Sequence, residues 1–171
     1  MAELDSLPAY LGRFVTNGAI PLTVALGLVG TFVVVRRLTV RYRCTTRLAV
    51  LAVWSVAAIV GFCFRFDSLG TADAPWVFDW ALWVSALQPG TNWVLNVMLF
   101  APAGAFLTAM VRAPFRVATT LVAVSALAET FQQLTRWGIG DPSDFVANTL
   151  GAIVGAGAAM AWIYAKNAKL T

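Results

Sequence analysis

The sequence predicts an all-α integral membrane protein with five transmembrane helices, and three observations carry that prediction. The chain of 171 residues is 60% hydrophobic and 12% charged, with a mean hydropathy of +0.77. A soluble domain carries about twice that charged fraction. Uncharged runs near 20 residues match the thickness of the hydrocarbon layer. The arginines and lysines gather at the ends of those runs and in alternate connections, the distribution that the positive-inside rule gives a multi-pass protein.

Composition also excludes. The chain has no histidine, which removes the usual general base and the commonest zinc ligand. Its two cysteines, Cys44 and Cys63, give neither a disulfide framework nor metal-ligand spacing. The net charge of +4 arises from residues at segment ends, so it speaks of topology and not of a nucleic-acid partner. Glu3 and Asp5 stand where a cleavable signal would be basic, and none is expected.

Residues 6–15 suit a short interfacial helix. Span one is expected near 16–35, uncharged between Arg13 and Arg36, with Pro21 early enough to be tolerated. The stretch 36–47 holds five arginines and reads as a basic, cytoplasmic loop. Span two follows near 48–64. The connection to Gly90 is net negative, with Asp67, Asp73 and Asp79. Within it Trp76, Trp80 and Trp83 share a helical stripe behind Asp73 and Pro75, the signature of an interfacial helix with its rings at headgroup depth. Spans three, four and five are expected near 92–111, 115–135 and 145–165. Between the last two, glycines and Pro142 supply turn chemistry, with Ser143 or Asp144 as the helix cap.

The basic residues set the orientation: the N-terminus outside, the C-terminus cytoplasmic, and residues 1–171 one domain. Depths then follow from a rise of about 1.5 Å per residue. Asn96, Glu129 and Asn148 fall about 8, 9 and 6 Å beneath the outer surface, three polar side chains from three helices at one level. Glu129, Gln132 or Gln133, and Arg136 form one stripe of span four, with Arg136 in reach of Glu129. Asp144, Asn148, Gly151 and Gly155 form one stripe of span five. The last two make a GxxxG pair that permits close helix contact. Capping by Asp144 and interhelical hydrogen bonding by Asn96 and Asn148 are structural alternatives to a binding role. A carboxylate such as Glu129 within an apolar span requires a partner or a function.

Asn96-x-x-x-Phe100-x-Pro102-x-Gly104, Glu129-x-x-Gln132, Arg136, and Asp141-x-x-Asp144-x-x-x-Asn148-x-x-Gly151 with Gly155 together resemble the VanZ-like family, over a motif core of about 92–157. The resemblance implies a small multi-span bacterial protein of the cytoplasmic membrane; the family's founding member is associated with resistance to the glycopeptide teicoplanin. Two features depart from the family pattern. The turn from Trp137 to Gly140 is longer than usual, and Ser143 replaces an acid in a DIDD-like run. The second change leaves Asp141 and Asp144 as the candidate ligands of a divalent cation, one hard oxygen donor short.

Three functions fit these residues. A non-catalytic envelope factor would hold a polar head group, from a lipid, a lipid-linked cell-wall precursor or a glycopeptide, on Asn96, Glu129, Gln132, Arg136, Asp141, Asp144 and Asn148. Trp76, Trp80 and Trp83 would form its rim, and no cofactor is required. A membrane enzyme acting on a polyprenyl-phosphate or phospholipid would use Glu129 as its catalytic general base, although no nucleophile–base pair is evident. A proton-coupled transporter would use the same intramembrane glutamate but would need a polar path to the other face.

Overall fold

The computed structural model describes residues 19–63, 91–135 and 141–169. Among these there are six α-helices and no strand. They are α1 (Ala19–Val33), α2 (Val35–Tyr42), α3 (Thr46–Cys63), α4 (Thr91–Val111), α5 (Pro114–Thr135) and α6 (Pro142–Ala168). The interfacial stretch at 6–15, the Trp76–Trp80–Trp83 helix, and Arg13, Arg65 and Arg136 lie outside the described residues.

Helices α3, α4 and α6 are each long and apolar enough to cross a bilayer. The pair α1 and α2, bent by 54° at Val34, makes a fourth if it counts as one broken span. Helix α5 has 22 residues, enough in length, but Arg116, three threonines before its last turn, Ser125, Glu129 and two glutamines make it less apolar than those three.

The basic stretch after span one, expected as a loop, is helical through Tyr42. Hydrogen bonds from Val34 N–H to Gly30 O (2.8 Å) and from Leu38 N–H to Val34 O (3.0 Å) carry the helical ladder across the bend. Arg43 then ends α2 in the left-handed region, at φ 48°. Thr45 caps α3, its hydroxyl accepting from Leu48 N–H at 3.3 Å. A second left-handed residue, Arg112 at φ 57°, turns α4 into α5.

The start of α6 also differs from expectation. The helix begins at Pro142, and its cap is Asp141, neither Ser143 nor Asp144. The Asp141 carboxylate accepts from Ser143 N–H at 2.8 Å, and Asp141 O accepts from Asp144 N–H and Phe145 N–H. Extended backbone at Asp141 (φ −118°, ψ 119°) and proline at the first helical position explain the choice. Proline has no N–H to leave unsatisfied there and disfavours a helical conformation in the residue before it.

The bundle is built on the parallel pair α4 and α6, whose backbones meet through glycine. A β-carbon at Gly151 would lie 2.5 Å from Val97 O, and one at Gly104 2.5 Å from Ala152 O; one at Gly155 would collide with Ala101 O. The GxxxG pair thus does what its spacing implied. Helix α5 runs antiparallel beside them. The buried core draws Ile59 from α3, Phe100 and Ala103 from α4, Val117 and Leu121 from α5, and Ala152 from α6. On the far side α1 packs antiparallel on α3, with Gly27 under the Trp54 ring and Gly61 against Ala19 and Thr23. Trp54 Nε1–H donates to Thr31 Oγ1 at 3.2 Å.

This arrangement sorts charge. Among the described residues the acids, Glu129, Asp141 and Asp144, lie at the end where α3 and α5 finish and α4 and α6 start. The arginines and lysines, at 36–47, 112–116 and 166–169, lie at the opposite end.

Candidate functional site

The acidic end brings together side chains from α4, α5 and α6. Glu129, one turn and a half before the end of α5, is buried, with 8% of its surface exposed. Its Oε2 accepts a hydrogen bond from Asp141 N–H at 3.0 Å. That N–H belongs to the capping residue of α6. The buried carboxylate therefore finds a partner, in part, in the backbone of the turn, which lies outside the α6 hydrogen-bond ladder and is free to donate.

Asp144 stands in the first turn of α6, where its charge faces the positive end of the helix dipole. It accepts from Asn92 Nδ2–H at 2.8 Å, which ties the first turn of α4 to the first turn of α6. One turn deeper, Asn148 is buried and donates from Nδ2 to Ser125 Oγ at 3.0 Å. Its Oδ1 is buried without a hydrogen-bond partner. Ser125 lies four residues before Glu129, so both occupy one face of α5. The α5 stripe thus reads Ser125, Glu129, Gln132.

Gln132 takes a different role from its neighbours. Its Nε2–H donates to Cys63 O at 2.6 Å, satisfying a carbonyl at the C-terminus of α3, where the helix leaves such groups open. Asn96 is half-buried on α4, one turn below Asn92, and takes no part in the hydrogen bonds that join Asn92, Asp144, Ser125 and Asn148. Asp141, Asp144, Asn148, Glu129 and Gln132 all lie at this end or one turn beneath it. Arg136 and the three tryptophans are outside the described residues.

Two participants went unread in the sequence: Asn92, at the mouth of α4, and Ser125, inside α5. The signal for Ser125 was available. It is the one hydroxyl on the α5 stripe a turn below Glu129, at the depth assigned to Asn148.

Among the described residues, no group of three or more Asp, Glu, Cys or His side chains is placed to hold a metal ion. One oxygen of Asp141 is engaged by Ser143 N–H and one of Asp144 by Asn92. The carboxylates of Glu129, Asp141 and Asp144 are acceptors, and their hydrogen bonds link the ends of α4, α5 and α6.

No curated protein and no solved structure matches the chain. The family model described as VanZ/LLP1 matches residues 56–164, which includes all of α4, α5, their turn and the acidic end of α6. With the match covering more than half of the 171 residues and apolar helices of membrane-crossing length, the chain belongs to the VanZ/LLP1 family as one of its membrane proteins.

Proposed function

We propose that the protein is a non-catalytic factor of the bacterial cytoplasmic membrane that binds a polar head group at the extracytoplasmic ends of α4, α5 and α6. One observation supports it above the rest. A buried carboxylate, Glu129, is held under the first turn of α6 beside Asp144 and Asn92, where a head group entering from the outer leaflet would meet it. The acceptors suit an amine or hydroxyl, as on a lipid, a lipid-linked cell-wall precursor or a glycopeptide. Arg136 and the tryptophans at 76, 80 and 83 would add a phosphate contact and an aromatic rim. In this reading α1, α3, α4, α5 and α6 each belong to one of five crossings, with the basic end, α2 included, cytoplasmic. The founding member's association with teicoplanin makes reduced glycopeptide susceptibility the expected phenotype.

The test is lipid extraction and mass spectrometry on protein purified from bacterial membranes, wild type against Glu129→Gln. The expected result is a co-purifying amphiphile with an amine- or hydroxyl-bearing head group that the variant retains at least roughly tenfold less, the scale of one charge-assisted hydrogen bond. Equal retention by both proteins would sink the reading. Conversion of a polyprenyl-phosphate or phospholipid by the wild type, abolished in the variant, would replace it with the enzymatic one.

A further inference from the structure

The five arginines between 36 and 47 enforce topology in a membrane protein, but the shape of α2 gives them a further use. Val35, Leu38, Thr39 and Tyr42 fall on one face of this helix and are buried or half-buried. Arg36, Arg37, Val40 and Arg41 fall on the opposite face and are all exposed. The helix diverges by 54° from the direction of α1, so it leaves the path that α1 takes through the bundle and turns its outer face along the surface of this end. Arg43 and Arg47, also exposed, continue the patch.

Among the described residues no acidic side chain lies at this end of the bundle, and none of them pairs with these guanidinium groups. The apolar residues among them decide which anion suits the face. Val40, between the arginines, is 74% exposed, and Phe115, beside Arg116, is 85% exposed. Exposed apolar side chains interleaved with cations fit the boundary between phosphates and acyl chains and not a hydrated polyanion. Two cation–ring pairs belong to the same end. The Arg41 guanidinium lies 5.8 Å from the Tyr42 ring centroid, and the Lys166 ammonium 5.5 Å from that of the exposed Trp162. Such pairs are what a headgroup layer favours.

We propose that α2 is a docking face for anionic phospholipid, with Arg36, Arg37 and Arg41 engaging the lipid phosphates while Val40 rests against the acyl-chain boundary. Guanidinium groups bind phosphate through paired N–H donors, and each basic residue near an anionic surface adds to the attraction. The face selects phosphatidylglycerol or cardiolipin over zwitterionic lipid. It is independent of any head group bound at the acidic end and holds for either orientation of the chain.

The test uses the full-length protein purified in detergent and presented with an equimolar mixture of phosphatidylglycerol and phosphatidylcholine, the bound lipid being read by native mass spectrometry. Wild type is expected to retain phosphatidylglycerol preferentially. The triple variant Arg36→Gln/Arg37→Gln/Arg41→Gln is expected to lose roughly tenfold or more of that preference. The variant Arg112→Gln/Arg116→Gln, with the same end altered away from α2, loses little. Because removing three charges can disturb membrane insertion, Arg36→Lys/Arg37→Lys/Arg41→Lys is measured beside it and keeps most of the preference. An unchanged preference in the triple glutamine variant overturns the proposal. So does a wild-type protein that shows no preference, or one that binds a duplex oligonucleotide without discriminating between the lipids.

Discussion

Asn148 and Ser125 form a buried interhelical hydrogen bond in which each side chain has a separate cost if its partner is lost. In a membrane such bonds average about 0.6 kcal/mol by double-mutant cycles, with a maximum near 1.7 kcal/mol. Ser125→Ala leaves the Asn148 amide without its acceptor, in a side chain whose Oδ1 already lacks a donor. It is expected to destabilise by about 1 kcal/mol, and the cycle with Asn148→Ala should return a coupling near 0.6 kcal/mol, measured by reversible unfolding in mixed micelles. Asp141 separates two roles at a single residue. Asp141→Ala removes a helix cap, a loss of about 1 kcal/mol, yet keeps the backbone N–H that Glu129 accepts from. Stability should fall by that amount while retention of the co-purifying amphiphile changes less than in Glu129→Gln. Asp141→Ser should recover most of the lost stability. The residues of this site were partly legible. Glu129, Asp144 and Asn148 stood out because charge and amide groups are rare in apolar runs. Asn96 carries equal weight in the sequence because counting residues from a helix end gives depth but not the direction of the side chain around the axis. Asn92 and Ser125 are inconspicuous for the opposite reason: one stands at a helix start, and the other is a common residue in any membrane helix. The cap at Asp141 is hidden among the three polar residues of DPSD, and proline's demand for an extended preceding residue is what decides among them.

At the scale of the element, the contact between α4 and α6 depends on the absence of side chains. An alanine at Gly155 or Gly151 would place a β-carbon against the carbonyl of Ala101 or Val97, and backbone cannot give way as a flexible side chain can. Gly155→Ala should therefore separate the two helices and destabilise by roughly 1–3 kcal/mol, the range for overpacking a close contact. Gly157 supplies the control within the same helix. Nothing lies within 4 Å of the β-carbon it would gain, so Gly157→Ala should be neutral or stabilising by up to about 1 kcal/mol, through helix propensity alone. Thermal unfolding of the three proteins in one detergent checks the order. The helical elements were largely readable because an uncharged run of fixed length leaves few alternatives once water is absent. The helix α2 was not, since arginines signal where a span stops and say nothing about whether the backbone beyond it stays helical. That continuation depends on Val35, Leu38 and Tyr42 finding a surface to pack on, which only the assembled bundle provides.

Across the whole molecule, the separation of acids from bases is the feature that most constrains how the protein sits. A reversed insertion would require the arginines of 36–47 to cross the membrane, and charges counted over short connections are what translocation resists. The separation also makes α5 decisive. This helix is the least apolar of the long ones, yet Arg116 at its start and Glu129 near its finish sit at opposite ends of the bundle, so in the proposed topology it crosses. Cysteine labelling tests both points at once, in a chain carrying Cys44→Ser and Cys63→Ser. Arg116→Cys and Thr135→Cys mark the two ends of α5, and Asn167→Cys marks the end of α6; all three positions are exposed. A membrane-impermeant maleimide applied to intact spheroplasts should label Thr135→Cys alone, and the other two only after permeabilisation. Labelling of Arg116→Cys together with Thr135→Cys would mean that α5 does not cross. Labelling of Arg116→Cys and Asn167→Cys without Thr135→Cys would invert the molecule, placing the Glu129 cluster at the cytoplasmic face and removing the outer-leaflet ligands proposed for it.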